Sequence, residues 1–220
     1  MDIPMSVLAV SGDNLVNQGI VDIADIAASV PNLNIGTGLS NTFVSIRGMG
    51  SGNDSSFEQS VGLFIDDMYM PRSAHYRTAF VDTDRVEVLR GSQAVLFGLN
   101  STAGAISIHS QKNRPGDELE GYIRGTYETE YETGGIEAAI GGSVGDTLGL
   151  RLAGKFSDGE SFYENANTGD TVGDTEFESL RFSLVWEPTD KLSIEGKIDR
   201  MENTNEGSNV ATFTRSNSWD

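Results

Sequence analysis

From residue 118 onward the sequence alternates. In 118–131, Leu119, Gly121, Ile123, Gly125, Tyr127 and Tyr131 fall on one side, and Glu118, Glu120, Arg124, Glu128 and Glu130 on the other. The pattern returns in 136–144, with Ile136, Ala138, Ile140 and Val144 against Glu137, Ala139, Gly141 and Ser143. In 148–156 it sets Leu148, Leu150, Leu152 and Phe156 against Arg151, Ala153 and Lys155. Leu180, Phe182, Leu184 and Trp186 then oppose Arg181, Ser183 and Val185, and Leu192, Ile194 and Ile198 oppose Ser193, Glu195 and Lys197. A period of two is the pitch of a β-strand seen from its two faces, so each segment predicts a strand. The connections alternate too. Residues 145–147 and 187–191 are short, the polar stretch 157–177 between them is long, and another polar stretch follows Arg200. Short turns at one end and long loops at the other, joining strands of about ten residues, are the signature of an outer-membrane barrel. Tyr127, Tyr131 and Trp186 lie near strand ends, where an aromatic girdle would sit.

A soluble β-sandwich alternates as well. Here, however, the polar faces carry charges of both signs at mid-strand, as a wet barrel interior does, and the opposite faces carry none there. These features favour the barrel.

Residues 1–112 follow a different grammar, that of a compact α+β unit. Ser11 is placed to cap a helix over Asp13–Gln18 that Gly19 stops. Asp22 is placed to cap a second helix whose Ile23, Ile26, Ala27 and Val30 share a face, with Pro31 ending it. Short strands are expected at Phe43–Ile46, Val61–Ile65, Arg85–Leu89 and Ala105–Ile108. Gly48, Gly91, Gly98 and Gly104 follow or interrupt strands where a positive φ or a close approach is needed.

Charge and motif content exclude several functions. Acidic residues outnumber basic ones 33 to 15, a net charge of -18, which is the wrong sign for a phosphate backbone, so no nucleic-acid partner is expected. Cysteine is absent, so there is no disulfide framework and no thiolate metal site. The glycines of 48–52 lack the Lys-Ser/Thr pair of a phosphate loop. His75 and His109 are isolated, and no nucleophile–base order or paired-carboxylate site stands out, so no enzyme, cofactor or metal site is expected. The acidic run Asp170, Asp174 and Glu176 reads as a solvated loop. Arg85 and Glu87 share one strand face and are expected to pair with each other.

Five ordered motifs then carry a resemblance: DIPMSVLAVSGDNL from residue 2, DIADIAASVPNLNI from 22, SIRGMG from 45, VGLFIDDMYMPRS from 61 and RVEVLRGSQAVLFGLNSTAGAIS from 85. Together they resemble the plug domain of TonB-dependent outer-membrane receptors over almost all of residues 2–112. The alternating half is similar to the first strands of that family's barrel, which places residues 1–112 as plug and 113–220 as wall. The resemblance implies an outer-membrane transporter for scarce ligands such as ferric siderophores, cobalamin or glycans, driven by the TonB complex through a segment upstream of this chain. It also implies that Arg47 and Arg90, the arginines of the I-R-G and L-R-G motifs, latch onto glutamates of late barrel strands, through the bidentate hydrogen bonds that a guanidinium and a carboxylate favour. Without the family, Arg90 would simply cover the turn at Gly91 with its head in solvent. One departure stands out: the family's Asp-Gly turn is Asp66-Asp67 here, and Asp tolerates left-handed geometry at some strain.

Plugged transporters have about 22 strands, and open strand edges in lipid cost several kcal/mol per unpaired group. The chain is therefore expected to be the N-terminal portion of a longer protein, with signal peptide, TonB-binding segment and latch glutamates outside it. Two other readings compete. One is a passive surface barrel with ligand-binding or glycan-binding outer loops, and the other is a soluble β-rich binding domain.

Overall fold

A computed structural model describes residues 6–37, 42–51, 59–92, 101–129, 133–159 and 175–205. The first half is built on strands β1 (Ser6–Ser11), β2 (Leu33–Thr37), β3 (Thr42–Ile46), β4 (Met49–Gly50), β5 (Val61–Ile65), β6 (Met68–Tyr69), β7 (Thr83–Arg90) and β8 (Gly104–Ser110). Helices α1 (Gly12–Asn17) and α2 (Ile23–Ser29) and a 3-10 turn at Ser73–Arg77 pack on them. One sheet has the order β1-β7-β8-β5-β6, and β2-β3-β4 form a second.

Local chemistry accounts for the helices. The Ser11 hydroxyl accepts the Asn14 N–H and the Asp22 carboxylate accepts the Asp25 N–H, each satisfying a donor that the first turn leaves orphaned. Gly19, at φ +67, turns the chain out of α1. Leu15, Ile23 and Ile26 are buried against Val44, Leu63, Val86, Val88 and Ile106, and the Tyr76 hydroxyl donates to the Val61 carbonyl within the same core.

The stretch Arg85–Arg90 belongs to β7, an interior strand of the first sheet. β7 is flanked by β1 and β8, both antiparallel to it. Alternation sends Val86 and Val88 into the core, both fully buried, and leaves Arg85 and Glu87 on the other face. The ladder partner β1 is not apparent in the sequence, because its run is short and weakly alternating. β2 is hidden for the same reason.

The second half is one antiparallel sheet in chain order: β9 (Glu120–Glu128), β10 (Thr133–Val144), β11 (Leu148–Gly159), β12 (Thr175–Thr189) and β13 (Leu192–Asn205). β11 and β12 run further than the hydrophobic pattern predicts, reaching Gly159 and starting at Thr175, because ladder pairing continues after the apolar face ends. The burial of this sheet is inverted relative to a soluble protein. Ile123 is 83% exposed, Ile198 74% and Leu180 58%, whereas Arg151 and Arg181 are 5% exposed. The apolar face looks outward and the charged face is covered by the first half. No helix among the described residues is long and apolar enough to cross a membrane; an outward apolar face on strands of this length is how a barrel wall meets lipid.

Replacing Asp22 by Ala is expected to destabilise the α2 end of the plug by about 1 kcal/mol, with Asp22→Asn retaining most of the stability. Denaturant titration of the detergent-solubilised protein, compared between wild type and the two variants, checks this.

Candidate functional site: the junction of plug and wall

The period of two places Arg151 and Lys155 on the inner face of β11, Arg181 on β12 and Lys197 on β13. Small residues lie among them: Ala153 is paired with Arg181, and Ser183 with Arg151. That leaves room for the plug to press in. Two corners of the first half do so, Phe80–Asp82 just before β7 and Asp66 in the β5–β6 turn.

The Asp82 carboxylate takes two hydrogen bonds from the Arg151 guanidinium, Nε to Oδ2 at 2.6 Å and Nη2 to Oδ1 at 2.7 Å. Both side chains are buried, 1% and 5% exposed. Arg151 also donates to the Asn113 side-chain oxygen and to Glu120. The Asp82 backbone N–H donates to Glu137 at 3.0 Å, and the Tyr122 hydroxyl lies 2.6 Å from the same carboxylate oxygen. On either side, Arg181 Nη1 donates to the Val81 carbonyl at 2.8 Å and Lys155 Nζ to the Phe80 carbonyl at 2.9 Å. Three consecutive plug residues are thus held by three wall cations.

The second corner works similarly. Asp66 accepts from Lys197 Nζ at 2.7 Å, and from both the backbone N–H and the hydroxyl of Ser110 at 2.8 Å. Burial pushes its carboxyl up, but the hydrogen bonds from Lys197 and Ser110 outweigh that and hold it below its ordinary value. Lys197 and Arg181 both approach Asp199, so the two corners belong to one charge network. Asp66 and Asp82 sit at φ +46 and +45. This left-handed geometry costs a non-glycine residue about 1 kcal/mol, and the wall contacts offset it.

Beside the clamp lies a cavity of about 920 Å³ between the α1 corner of the plug and strands β9–β12, lined in part by Leu15, Asp22, Tyr122, Arg124 and Lys155. Asp22 faces into it, and burial raises its carboxyl above the ordinary value despite the capped N–H groups. No cluster of three or more metal-ligating side chains exists among the described residues.

Of the residues singled out from the sequence, Asp66 joins the junction and the others lie elsewhere. Arg47 is exposed at the end of β3, at φ +53, its N–H bonded to the Asn32 carbonyl. Arg90 is half-buried at the end of β7, paired in the ladder with Gly104. Eight residues of strand, roughly 25 Å, separate Arg90 from the clamp at Asp82. Gly48 and Gly91 have φ +77 and +104. A Cβ on Gly104 would collide with the Leu89 carbonyl and the Ile46 side chain. Gly98 lies outside the described residues, as do Asp170 and Asp174. Arg85 Nε donates to Glu87 at 2.7 Å, and Arg85 Nη1 to Asp84 at 2.7 Å.

The clamp itself escaped the sequence reading. Its signal was present in the cations at inward positions of β11, β12 and β13, each too costly to bury without a partner. It was present too in the Asp66-Asp67 turn, where Asp67 stands in place of the family's glycine and Asp66 supplies the carboxylate.

A sheet turned inside out around a charged interface, gripping an α+β unit, defines a plugged outer-membrane barrel. Comparison with known proteins agrees. Residues 1–105 match the TonB-dependent receptor plug domain. The chain is 25% identical over 221 residues to the iron-regulated outer membrane virulence protein of Vibrio cholerae, covering 92% of this chain and 32% of that one. It is 33% identical over 125 residues to the pesticin receptor of Yersinia enterocolitica, covering 55% of this chain and 18% of that one. Among solved structures, the ferric yersiniabactin uptake receptor FyuA of Yersinia pestis superimposes with a TM-score of 0.81 at 25% identity, over 90% of this chain and 31% of that one. The pyoverdine outer membrane receptor FpvA of Pseudomonas aeruginosa gives 0.74 at 17% identity, over 91% and 28%, a likeness of fold. Residues 1–105 thus carry the plug domain of TonB-dependent receptors, and the chain spans about a third of the length of the V. cholerae relative.

Asp82→Ala is expected to cost about 3–5 kcal/mol, because it strands the buried Arg151, whereas Asp82→Leu combined with Arg151→Met should recover most of that loss. Equilibrium unfolding of wild type, the single variant and the double variant decides it. At the second corner, the folded Asp66 titrates below its ordinary 3.8. Its contribution to stability is therefore complete above that pH and lost as the pH falls through the folded value. The difference in melting temperature between wild type and Asp66→Asn should hold steady above about pH 5 and shrink toward pH 2.

Proposed function

We propose that the chain is the plug-bearing part of an active-transport receptor of the Gram-negative outer membrane that takes up a ferric siderophore with energy from the TonB complex. The observation that carries this reading is the clamp: a folded plug fixed to a barrel wall by hydrogen-bonded ion pairs, an attachment that holds and yet separates. The ligand class rests on the relatives, whose names speak of iron regulation, ferric yersiniabactin and pyoverdine. The TonB contact is assigned to a segment preceding β1, as the resemblance implies. Residues 1–112 are taken as the plug and 113–220 as wall; the break falls between β8 and β9, where Asn113 already hydrogen-bonds a wall residue.

Arg47 and Arg90 are assigned to a second latch, against carboxylates of barrel strands beyond β13. The two fastenings have opposite polarity, with acids of the plug on basic wall positions here and bases of the plug on acidic wall positions there. No catalytic constellation among the described residues supports an enzyme.

The complete gene, expressed in iron-starved cells lacking their own siderophore receptors, is expected to restore uptake of radiolabelled iron supplied as ferric yersiniabactin or ferric pyoverdine, and deletion of TonB should abolish it. Uptake that ignores TonB would remove the energy-coupled reading. In the same cells Arg90→Ala should increase sensitivity to large antibiotics such as vancomycin; unchanged sensitivity would count against the latch.

A further inference from the structure

The connection from plug to wall changes its attachment within two residues. Ser110, the last residue of β8, is bonded to the plug corner, with its N–H and its hydroxyl both donating to the Asp66 carboxylate. The Gln111 N–H donates to the Asp82 carbonyl at 2.9 Å. From Lys112 onward the partners belong to the wall. Lys112 Nζ reaches Glu195 on β13 at 2.6 Å, an exposed pair that contributes little by itself. Asn113 is the anchor. It is 3% exposed, its side-chain oxygen accepts from Arg151, and its side-chain nitrogen donates to Glu120.

A tight turn follows, in which the Arg114 N–H donates to the Asp117 carboxylate and the Asp117 N–H to the Arg114 carbonyl. Ser143, near the end of β10, fastens this turn twice. Its hydroxyl accepts the Gly116 N–H at 2.9 Å, and its own N–H donates to the Asp117 carbonyl at 3.1 Å. The wall is shaped to receive the connection. A Cβ on Gly149 of β11 would collide with the Asn113 carbonyl, and one on Gly141 of β10 with the Asn113 side-chain oxygen. Both strands approach the connection as closely as only glycine allows.

Domain motion is absorbed at a few residues at the ends of elements, where few contacts cross. Gln111 is such a residue, with plug partners before it and wall partners after it. We propose that residues 112–117 are a strap built into the wall, which stays in place while the plug moves about a pivot at Gln111. Arg151 serves both parts, holding the strap through Asn113 and the plug corner through Asp82. When Asp82 leaves, the guanidinium keeps Asn113 and Glu120, so it stays posted for the corner to return in the same register. The pivot rests on the transport reading, since only a plug that moves has use for one; the strap does not.

Hydrogen–deuterium exchange of the receptor made from the complete gene, in mild detergent with graded urea, tests the strap without reference to any ligand. Peptides covering residues 112–117 should stay protected together with β10 and β11 at urea concentrations that open β7 and β8. Exchange of 112–117 in step with β8 would overturn the strap, and the pivot with it. Uptake then tests the pivot. This chain has no cysteine, so an introduced pair can be bridged by a short bismaleimide in the assembled receptor. Bridging Lys112→Cys to Glu195→Cys should leave TonB-dependent iron uptake at the level of the unbridged double variant, because the strap does not leave the wall. Bridging Asp66→Cys to Lys197→Cys should lower uptake about tenfold or more, because that corner has to part. Loss of uptake with the first bridge, or full uptake with the second, would overturn the pivot. Uptake that ignores TonB in the unmodified receptor would count against the transport reading instead, and the exchange result would still decide the strap.

Discussion

The carboxylate of Asp82 and the guanidinium of Arg151 are nearly dry, and each is tolerable there only because of the other. Much of the molecule follows from that pair. Arg151 is fixed on β11 by the strand ladder, and Asn113 and Glu120 hold its remaining donors. Asp82 is fixed by the start of β7, an interior strand of the plug's larger sheet, through a backbone turn that an uncompensated aspartate would avoid. Joining them sets the plug against the wall in one register. Once that register is set, the carbonyls of Phe80 and Val81 fall within reach of Lys155 and Arg181, and Asp66 within reach of Lys197.

The wall shows the same economy from its other side. A β-strand has two faces and a barrel wall two environments, so the sequence must alternate between them without a break. Inward positions carry what the plug or water will accept, and outward positions carry what lipid accepts. Leu180 and Arg181 are neighbours in the chain, yet one is 58% exposed and the other 5%. In a soluble sandwich their roles would be reversed, and this single inversion separates the barrel from its competitors more firmly than composition does.

Much of this was legible in the sequence. The wall strands were readable because alternation is a direct trace of two unlike environments. The α1 and α2 caps were readable because Ser11 and Asp22 act on backbone three residues away. Strands β1 and β2 were not, because a short strand is specified by its ladder partner and not by its own pattern. The clamp was not, because it joins residues 69 positions apart in the case of Asp82 and Arg151 and 131 apart in that of Asp66 and Lys197. Nothing local marks such pairs except that each charge looks unaffordable alone. The family resemblance, by contrast, drew attention to Arg47 and Arg90, which the structure sets at the far ends of their strands.

On the proposed transport reading a plug must be held firmly and released readily, and the chemistry of this interface reconciles the two. Truncating Asp82 leaves Arg151 dry and unpaired, so the mutational cost is large. Withdrawing the whole corner is different, because water enters as the groups separate and both partners become hydrated. What is then lost is the net value of each hydrogen bond, about 0.5–1.5 kcal/mol for a neutral pair and somewhat more for a charged one. An apolar interface of similar extent would have to expose its surface to water at about 25 cal/mol per Å² with nothing returned. A junction built from Arg151, Arg181, Lys155 and Lys197 on carbonyls and carboxylates therefore enforces one docked geometry while keeping the work of undocking small. For the same reason the apolar residues of this wall stay on the lipid side.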